Sequence, residues 1–259
     1  MTRLERQKLN HLMVQIPPGV VLTLNWLKQQ GISCKLAWWY VHSKWLERVG
    51  DEAYKKSGEN LTWPGALSAL QNQLHLSVHV GAKTALELLG QSHFVPMDGI
   101  KQVILFSEPH VTIPKWLFTE ETWKVEFKVH ATTLFQDDNL NLGIIERAVD
   151  GINLSLSSPE RAALEMLYLV PNKQSFDEVV LVMEGLRQLR PRVIQQLLEK
   201  CKSIKVKRLF LHLAERFQHT WLSELELQKI DLGHGKRVIG NGGNYDPKYQ
   251  ISVPKIVEE

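Results

Sequence analysis

Between Pro17 and Trp63 the residues impose an order of elements that few folds accept. Pro17-Pro18-Gly19 ends whatever precedes it, and the apolar periodicity from about Val20 to Gln30 predicts a helix that stops at Gly31. Ser33 stands where a helix N-cap belongs, because its hydroxyl accepts from an amide one turn on, so a further helix is expected through about Ser43. Upstream, Leu4, Leu9, Leu12 and Met13 predict a helix over residues 3–13. The stretch WLERVGDEAYKKSGENLTW reads as two extended pieces joined at Gly50-Asp51, a β-hairpin. Three helices, two of them separated by a short glycine-containing turn, and then a hairpin make the order of a winged helix-turn-helix.

The next residues predict a helix from about Pro64 to Leu74, a strand over Ser77–Val80 and a helix over Lys83–Leu89. From residue 98 the texture changes. Strands are expected at Gln102–Phe106, Trp123–His130 and Ile144–Gly151. Ser158-Pro159 opens a helix, and Ser175 with Glu178 three residues later predicts a capping box for another. Two more helices are expected at about 191–201 and 205–219, before glycine-rich turns and a strand at Tyr249–Val253. The fold class is therefore α+β: a winged helix-turn-helix over residues 1–97 and a mixed α/β domain over residues 98–259.

Composition narrows the function. Apolar residues make up 44% and charged residues 23% of the 259, a globular balance that leaves no case for disorder or a fibrous repeat. No apolar run approaches the roughly 18 residues of a membrane-spanning helix. The N-terminal stretch alternates charged and apolar residues, unlike a signal peptide, and Cys34 and Cys201 are too few for a disulfide framework or a cysteine-rich zinc site. The expected compartment is the cytoplasm. Residues 1–97 carry ten Lys/Arg against six Asp/Glu, a balance of +4, whereas residues 98–259 carry twenty-one against twenty-two, a balance of −1. A polyanion is drawn to the first third.

In ISCKLAWWYVHSKW, helical spacing turns Leu36, Tyr40 and Val41 to the core and leaves Lys35, Trp38, Trp39, His42 and Ser43 outside. Donors, planar groups and small hydroxyls on one side of a helix suit the base edges of a major groove. Arg48, Lys55 and Lys56 place three cations on the hairpin, where a wing meets backbone phosphates or the minor groove.

The pattern SxxLAxxYVxxxWLERVGxxAY, followed by WPGALSALQNQL and LSVHVGAKTALELLG, resembles the AbiEi family, the antitoxins of type IV toxin–antitoxin systems. LSSPERAALEML, MEGLRQLRPRVIQQLLEKCKSIKVKRLFLHLAER and DLGHGKRVIGNGGNYDPKYQISVP extend the likeness over nearly the whole chain. The resemblance implies an N-terminal domain that represses its own operon by binding inverted repeats in double-stranded promoter DNA, as monomers that occupy adjacent half-sites cooperatively. It implies a C-terminal antitoxin domain that counteracts a nucleotidyltransferase toxin without a stable complex, in growth control or abortive infection against phage. No cofactor is expected, and no enzymatic activity, because no residues read as a nucleophile with its base. Where many relatives have glycine this chain has Lys44, which is expected either to prolong the recognition helix or to add a phosphate contact.

The glycine-rich stretch near the end matches no nucleotide loop. Gly235-Lys236 is followed by Arg237 instead of Ser or Thr, and Ile230 stands where a Walker loop needs glycine. A dinucleotide fingerprint started at Gly233 and Gly235 fails at Val238. Two readings stay open: Gly240, Gly242 and Gly243 permit tight turns, or exposed backbone amides with Lys236, Arg237 and Lys248 form an anion-binding surface of the antitoxin domain. His212, Glu215 and His219 share one face of an expected helix, but they lack the spacing of a zinc motif and no metal is expected. The alternatives are an enzyme that handles nucleotide or RNA phosphates and is targeted to DNA by the winged helix, and a regulator whose second domain senses a small ligand.

Overall fold

In the computed structural model the described residues are 14, 16–91, 99–135, 141–240 and 243–255. The helix expected over residues 3–13 lies outside them, as does Gly242. The chain divides into two compact units that alternate in sequence. The described parts of Met1–His79, Ile100–Ala131 and Glu146–Ser155 form the first, and those of Val80–Gly99, Thr132–Ile145 and Leu156–Glu259 the second.

The first unit opens with β1 (Leu22–Thr23) and α1 (Leu24–Gln29), followed by α2 (Cys34–His42), β2 (Leu46–Gly50) and β3 (Ala53–Lys56). Thr23 caps α1 by accepting from the Trp26 amide at 3.3 Å, and Ser33 caps α2 by accepting from the Leu36 amide at 3.2 Å, as its position in the sequence predicts. Gly31, at φ +74°, ends α1 in a Schellman turn: its amide donates to the Lys28 carbonyl and that of Ile32 to the Leu27 carbonyl. The expected second helix therefore starts at Leu24, because Leu22-Thr23 pairs antiparallel with Ala53-Tyr54 as a strand. The sheet order is β1-β3-β2. Leu24, Leu27, Ile32, Tyr40, Leu46 and Ala53 are buried beneath it.

The hairpin turns at Asp51-Glu52, one residue later than expected, with Glu52 at φ +56°. Gly50 belongs to β2, where a Cβ would stand 2.6 Å from Cβ of Trp116, so close packing rather than turn geometry requires a glycine there. Thr62 caps α3 (Trp63–Ser68), which continues as a π-helical turn over Ala69–Gln73. That turn delivers the buried Gln73 amide to the outer edge of β1. Gln73 donates to the Val21 carbonyl at 2.7 Å and accepts from the Thr23 amide at 2.8 Å, filling the place of a missing strand.

A five-stranded sheet follows the order β6-β5-β4-β8-β7, with β4 at Val78–Val80, β5 at Gln102–Ser107, β6 at Glu126–Ala131, β7 at Ile144–Val149 and β8 at Ile152–Ser157. Strands β5 and β6 are parallel neighbours from Gln102↔Glu126 to Ser107↔Ala131. Val103 to Phe106 are buried without alternation, as befits a parallel strand covered on both faces. Strand β6 begins three residues later than expected, because Trp123 closes the short helix α5 (Glu120–Trp123) and Lys124 turns the chain at φ +58°. Asp150 and Gly151, both at positive φ, make the tight turn between β7 and β8.

In the second unit, α4 (Ala82–Leu88), α6 (Pro159–Leu169), α7 (Phe176–Gly185), α8 (Pro191–Lys200) and α9 (Ile204–Arg216) surround an apolar core that includes Leu86, Leu164, Leu167, Met183, Leu198 and Phe210. The chain closes with β9 (Arg237–Val238), β10 (Gly243–Asp246) and β11 (Ile251–Pro254) in the order β10-β11-β9. The buried face of α6 is polar in places, and every acid there is bonded. Glu160 accepts from the Ser158 hydroxyl at 2.7 Å and from Arg190 three times at 2.8–2.9 Å. Glu165 accepts from the Ser157 hydroxyl, Arg161 and the Ala82 amide. The capping box expected at Ser175 does not form. Ser175 is the N-cap of α7 without a side-chain bond, and Glu178 is taken by Lys83 and Gln174.

Candidate nucleic-acid interface

Helix α2 has a buried side and a bare one. Ala37 and Tyr40 are fully buried, while Leu36 and Val41 are only half-buried, which corrects the expected core face by one residue. Lys35, Trp38 and His42 are exposed at i, i+3 and i+7 along one face, and Trp38 keeps 59% of its surface accessible. Trp39 and Ser43 flank this face half-buried, with the Trp39 ring set edge-on to Tyr40 at 5.9 Å. His42 folds back on its own helix. Its Nδ1 lies 3.0 Å from the Trp38 carbonyl oxygen, and the two rings lie against each other at a tilt of 32° with centroids 3.5 Å apart.

Lys44 does not prolong α2. Its amide donates to the Val41 carbonyl and that of Trp45 to the Tyr40 carbonyl, a Schellman turn with lysine at the left-handed position, φ +58°. Both side chains are exposed beyond the end of the helix, Trp45 by 47%. An L-residue pays about 1–2 kcal/mol for that backbone conformation.

The wing uses its cations differently from the sequence expectation. Arg48 is exposed but bonded to the Asp51 carboxylate at 2.7 Å and the Gly50 carbonyl at 3.1 Å. Half-buried Lys55 pairs with Glu47 at 3.0 Å and donates to the Glu59 carbonyl at 3.1 Å. Lys56 is only 9% exposed, its ammonium 2.8 Å from the Ile16 carbonyl and 3.4 Å from Glu59, so it anchors the wing from inside and offers no charge on its surface. Glu47 also accepts from the Ser57 hydroxyl at 2.7 Å and the Gly58 amide at 3.0 Å. These bonds, with Ser57 foremost and Lys55 next, hold its carboxyl down to about 2. Beside the wing a cleft of about 660 Å³ is lined by Arg48, Lys55, Thr62, Trp63, Trp123 and Lys124. The buried Trp123 indole N–H has no partner there.

The glycine-rich stretch turns out to be organised by a cation from within. Arg208 on α9, 2% exposed, donates to the carbonyls of Leu232, Gly233, Gly235 and Gln250 at 2.5–3.1 Å. Gly233 and Gly235, at φ +60° and +75°, bend the chain so that these carbonyls converge. The Gly233 amide is taken by Asp231 at 2.8 Å. The loop therefore presents acceptors to a buried arginine, not the donors of an anion nest. Outside it, exposed Lys236 lies 4.9 Å from the Tyr245 ring, and Arg237 in β9 donates to the Lys236 carbonyl. Lys248 is held by Glu215 at 2.5 Å, so of the three expected surface cations only Lys236 and Arg237 carry charge that no acid among the described residues is shown to neutralise.

His212, Glu215 and His219 do not converge. His212 Nδ1 bonds Asp246 at 2.6 Å, Glu215 takes Lys248, and buried His219 donates to the Met183 carbonyl at 2.8 Å while stacking on Trp221. Burial pulls the His219 pKa down. Among the described residues no group of three His, Cys, Asp or Glu is placed to hold a metal. None of their helices is long and apolar enough to cross a membrane.

Two family models match the chain. One, described as the transcriptional regulator AbiEi antitoxin N-terminal domain, covers residues 5–97, and the other, described as transcriptional regulator, AbiEi antitoxin, type IV TA system, covers residues 100–254. Comparison with curated proteins gives no match. Among solved structures the chain is similar to the RV2827C protein from Mycobacterium tuberculosis, with a TM-score of 0.60 and 13% identity over 97% of this chain and 92% of that one. At that identity the likeness shows the fold alone. The two family matches together span nearly the whole sequence, and the chain belongs to the AbiEi family of transcriptional regulators and antitoxins of type IV toxin–antitoxin systems.

Proposed function

We propose that the chain represses its own operon by binding inverted repeats in the promoter through α2 and the wing, and that it counteracts a nucleotidyltransferase toxin without a stable complex. The observation that carries the first part is the bare face of α2. Lys35, Trp38 and His42 are held outward by a helix whose other side is anchored through Ala37 and Tyr40. Side chains so placed enter a major groove, with Lys44 and Arg48 beside them for phosphates. DNA reading is assigned to residues within 1–97 and neutralisation to residues within 98–259, in a cytoplasmic protein that binds as monomers cooperating on adjacent half-sites. For neutralisation the supporting surface is Lys236 beside the exposed Tyr245 ring, with Arg237 next to it in sequence, which suit an anionic partner such as RNA or a nucleotide.

The two activities are separable in cells that carry a promoter reporter and the toxin. Changing Lys35 and Lys44 together to Ala is expected to release the reporter and leave rescue intact. Changing Lys236 and Arg237 together to Ala is expected to do the opposite, after a melting curve has established that the variant folds. A Lys236/Arg237 variant that still rescues fully removes that surface from the mechanism. A Lys35/Lys44 variant that still represses removes α2.

A further inference from the structure

We propose that His42 recognises a hydrogen-bond donor on a base edge, the exocyclic amino group of adenine or cytosine, because the fold fixes the tautomer of its ring. The proposal rests on the assignment of DNA reading to α2 and specifies what one residue of that face detects. A carbonyl oxygen only accepts, so the 3.0 Å contact between Nδ1 and the Trp38 oxygen requires the hydrogen to be on Nδ1. The neutral ring then presents Nε2 as a lone pair. The Trp38 indole, tilted 32° against the imidazole with centroids 3.5 Å apart, holds the ring against the helix and covers one of its faces. The i, i+4 spacing supplies both contacts from one element.

A fixed acceptor on an exposed helix face selects its target. Phosphate oxygens have no hydrogen to give, so the Nε2 lone pair gains nothing from the backbone. In the major groove the donors are the N6 amino group of adenine and the N4 amino group of cytosine, whereas guanine and thymine show acceptors and a methyl group. His42 therefore discriminates bases while Lys35 and Lys44, as cations, do not exclude a phosphate partner. Trp38 is the positioning residue, through its carbonyl and its ring.

Two measurements on the full chain test this. The first needs no DNA: nitrogen NMR of the imidazoles at about pH 8, above the ordinary histidine range, should show His42 protonated at Nδ1 and bare at Nε2. A ring protonated at Nε2 overturns the proposal. The second is selection from a randomised duplex by the wild type and by His42→Ala. The wild type should enrich adenine or cytosine at one position of each half-site, and the variant should lose that preference alone. Replacing the amino group of that base by hydrogen should weaken the wild type about three- to tenfold, the worth of one hydrogen bond, and leave the variant unchanged. A lost preference for guanine or thymine, or no effect of removing the amino group, overturns the base assignment with the DNA reading intact. A wild-type chain that selects no duplex overturns that reading and the base assignment with it, and the NMR result then stands as a property of the ring alone.

Discussion

Lys44 sits where the backbone favours glycine. Its left-handed conformation at the end of α2 is forced by the Schellman turn, and the side chain it carries is exposed. Lys44→Gly is expected to relieve the backbone and raise the stability of the first unit by about 1 kcal/mol, read as a higher urea midpoint. The same change removes a cation beside the proposed DNA-reading face, so the slope of log affinity for DNA against log salt should become shallower by about one. A variant of unchanged stability contradicts the backbone account, and an unchanged slope removes Lys44 from the phosphate contacts. Among the candidate residues, the bare face of α2 was legible because it follows the helical period. Lys56 was not, because its burial depends on the Ile16 carbonyl forty residues away, and nothing in the pair Lys55-Lys56 announces which of the two turns inward.

At the scale of elements the same contrast recurs. The helix end at Gly31 was readable from the glycine, whereas Lys44 and Gln218 occupy the same left-handed position, so the last long helix ends at Arg216 and not at residue 219. Ser33 caps as expected because the bond is local. Ser175 is an N-cap without a side-chain bond, and the Glu178 half of its expected box is claimed by Lys83 from a distant part of the chain. Of the terminal glycines expected in turns, Gly240 bends the chain at φ +70°, whereas Gly243 lies in β10, where a Cβ would meet the Val253 carbonyl, and the organiser of the Gly233–Gly235 loop was not legible. Arg208 reaches carbonyls 24 to 42 positions further on. Arg208→Met should leave those four carbonyls without a donor and destabilise the second unit by on the order of 3 kcal/mol, seen as a lower melting temperature. An unchanged melting curve contradicts the role of the arginine as the loop's anchor.

Glu160 gives the second unit a defined acid limit. Burial works to raise its pKa, but the bonds from Arg190 and the Ser158 hydroxyl outweigh it and bring the carboxyl from 4.5 to about 2. Because the folded value lies below the unfolded one, the stabilisation is full above pH 4.5 and is lost as pH falls from 4.5 toward about 2. In Glu160→Gln this part of the acid dependence should disappear, together with stability at neutral pH, because Arg190 loses its ionic partner. Denaturant midpoints for wild type and variant at several pH values check it: parallel curves between pH 5 and about 2 exclude Glu160 as a source of the acid dependence.

For the whole molecule, the charge offset of +4 in residues 1–97 and −1 in the rest was visible in composition, and among the described residues part of it is tied up in bonds on the wing. On the wing, Arg48, Lys55 and Lys56 are bonded to acids or carbonyls, so among the described residues the exposed cations on and around α2 are Lys35, Lys44 and Lys28 of α1, with Arg48 shared. On the proposed reading, few phosphate contacts imply a modest salt dependence and a sequence preference set by the side chains on α2. The most direct test is the affinity of the full chain for a duplex carrying its own promoter and for a scrambled duplex of equal length, by fluorescence anisotropy at two salt concentrations. The account predicts tighter binding to the promoter at both, with affinity for both duplexes falling as salt rises and the preference persisting. Equal affinity for the two duplexes at both salt concentrations would contradict it.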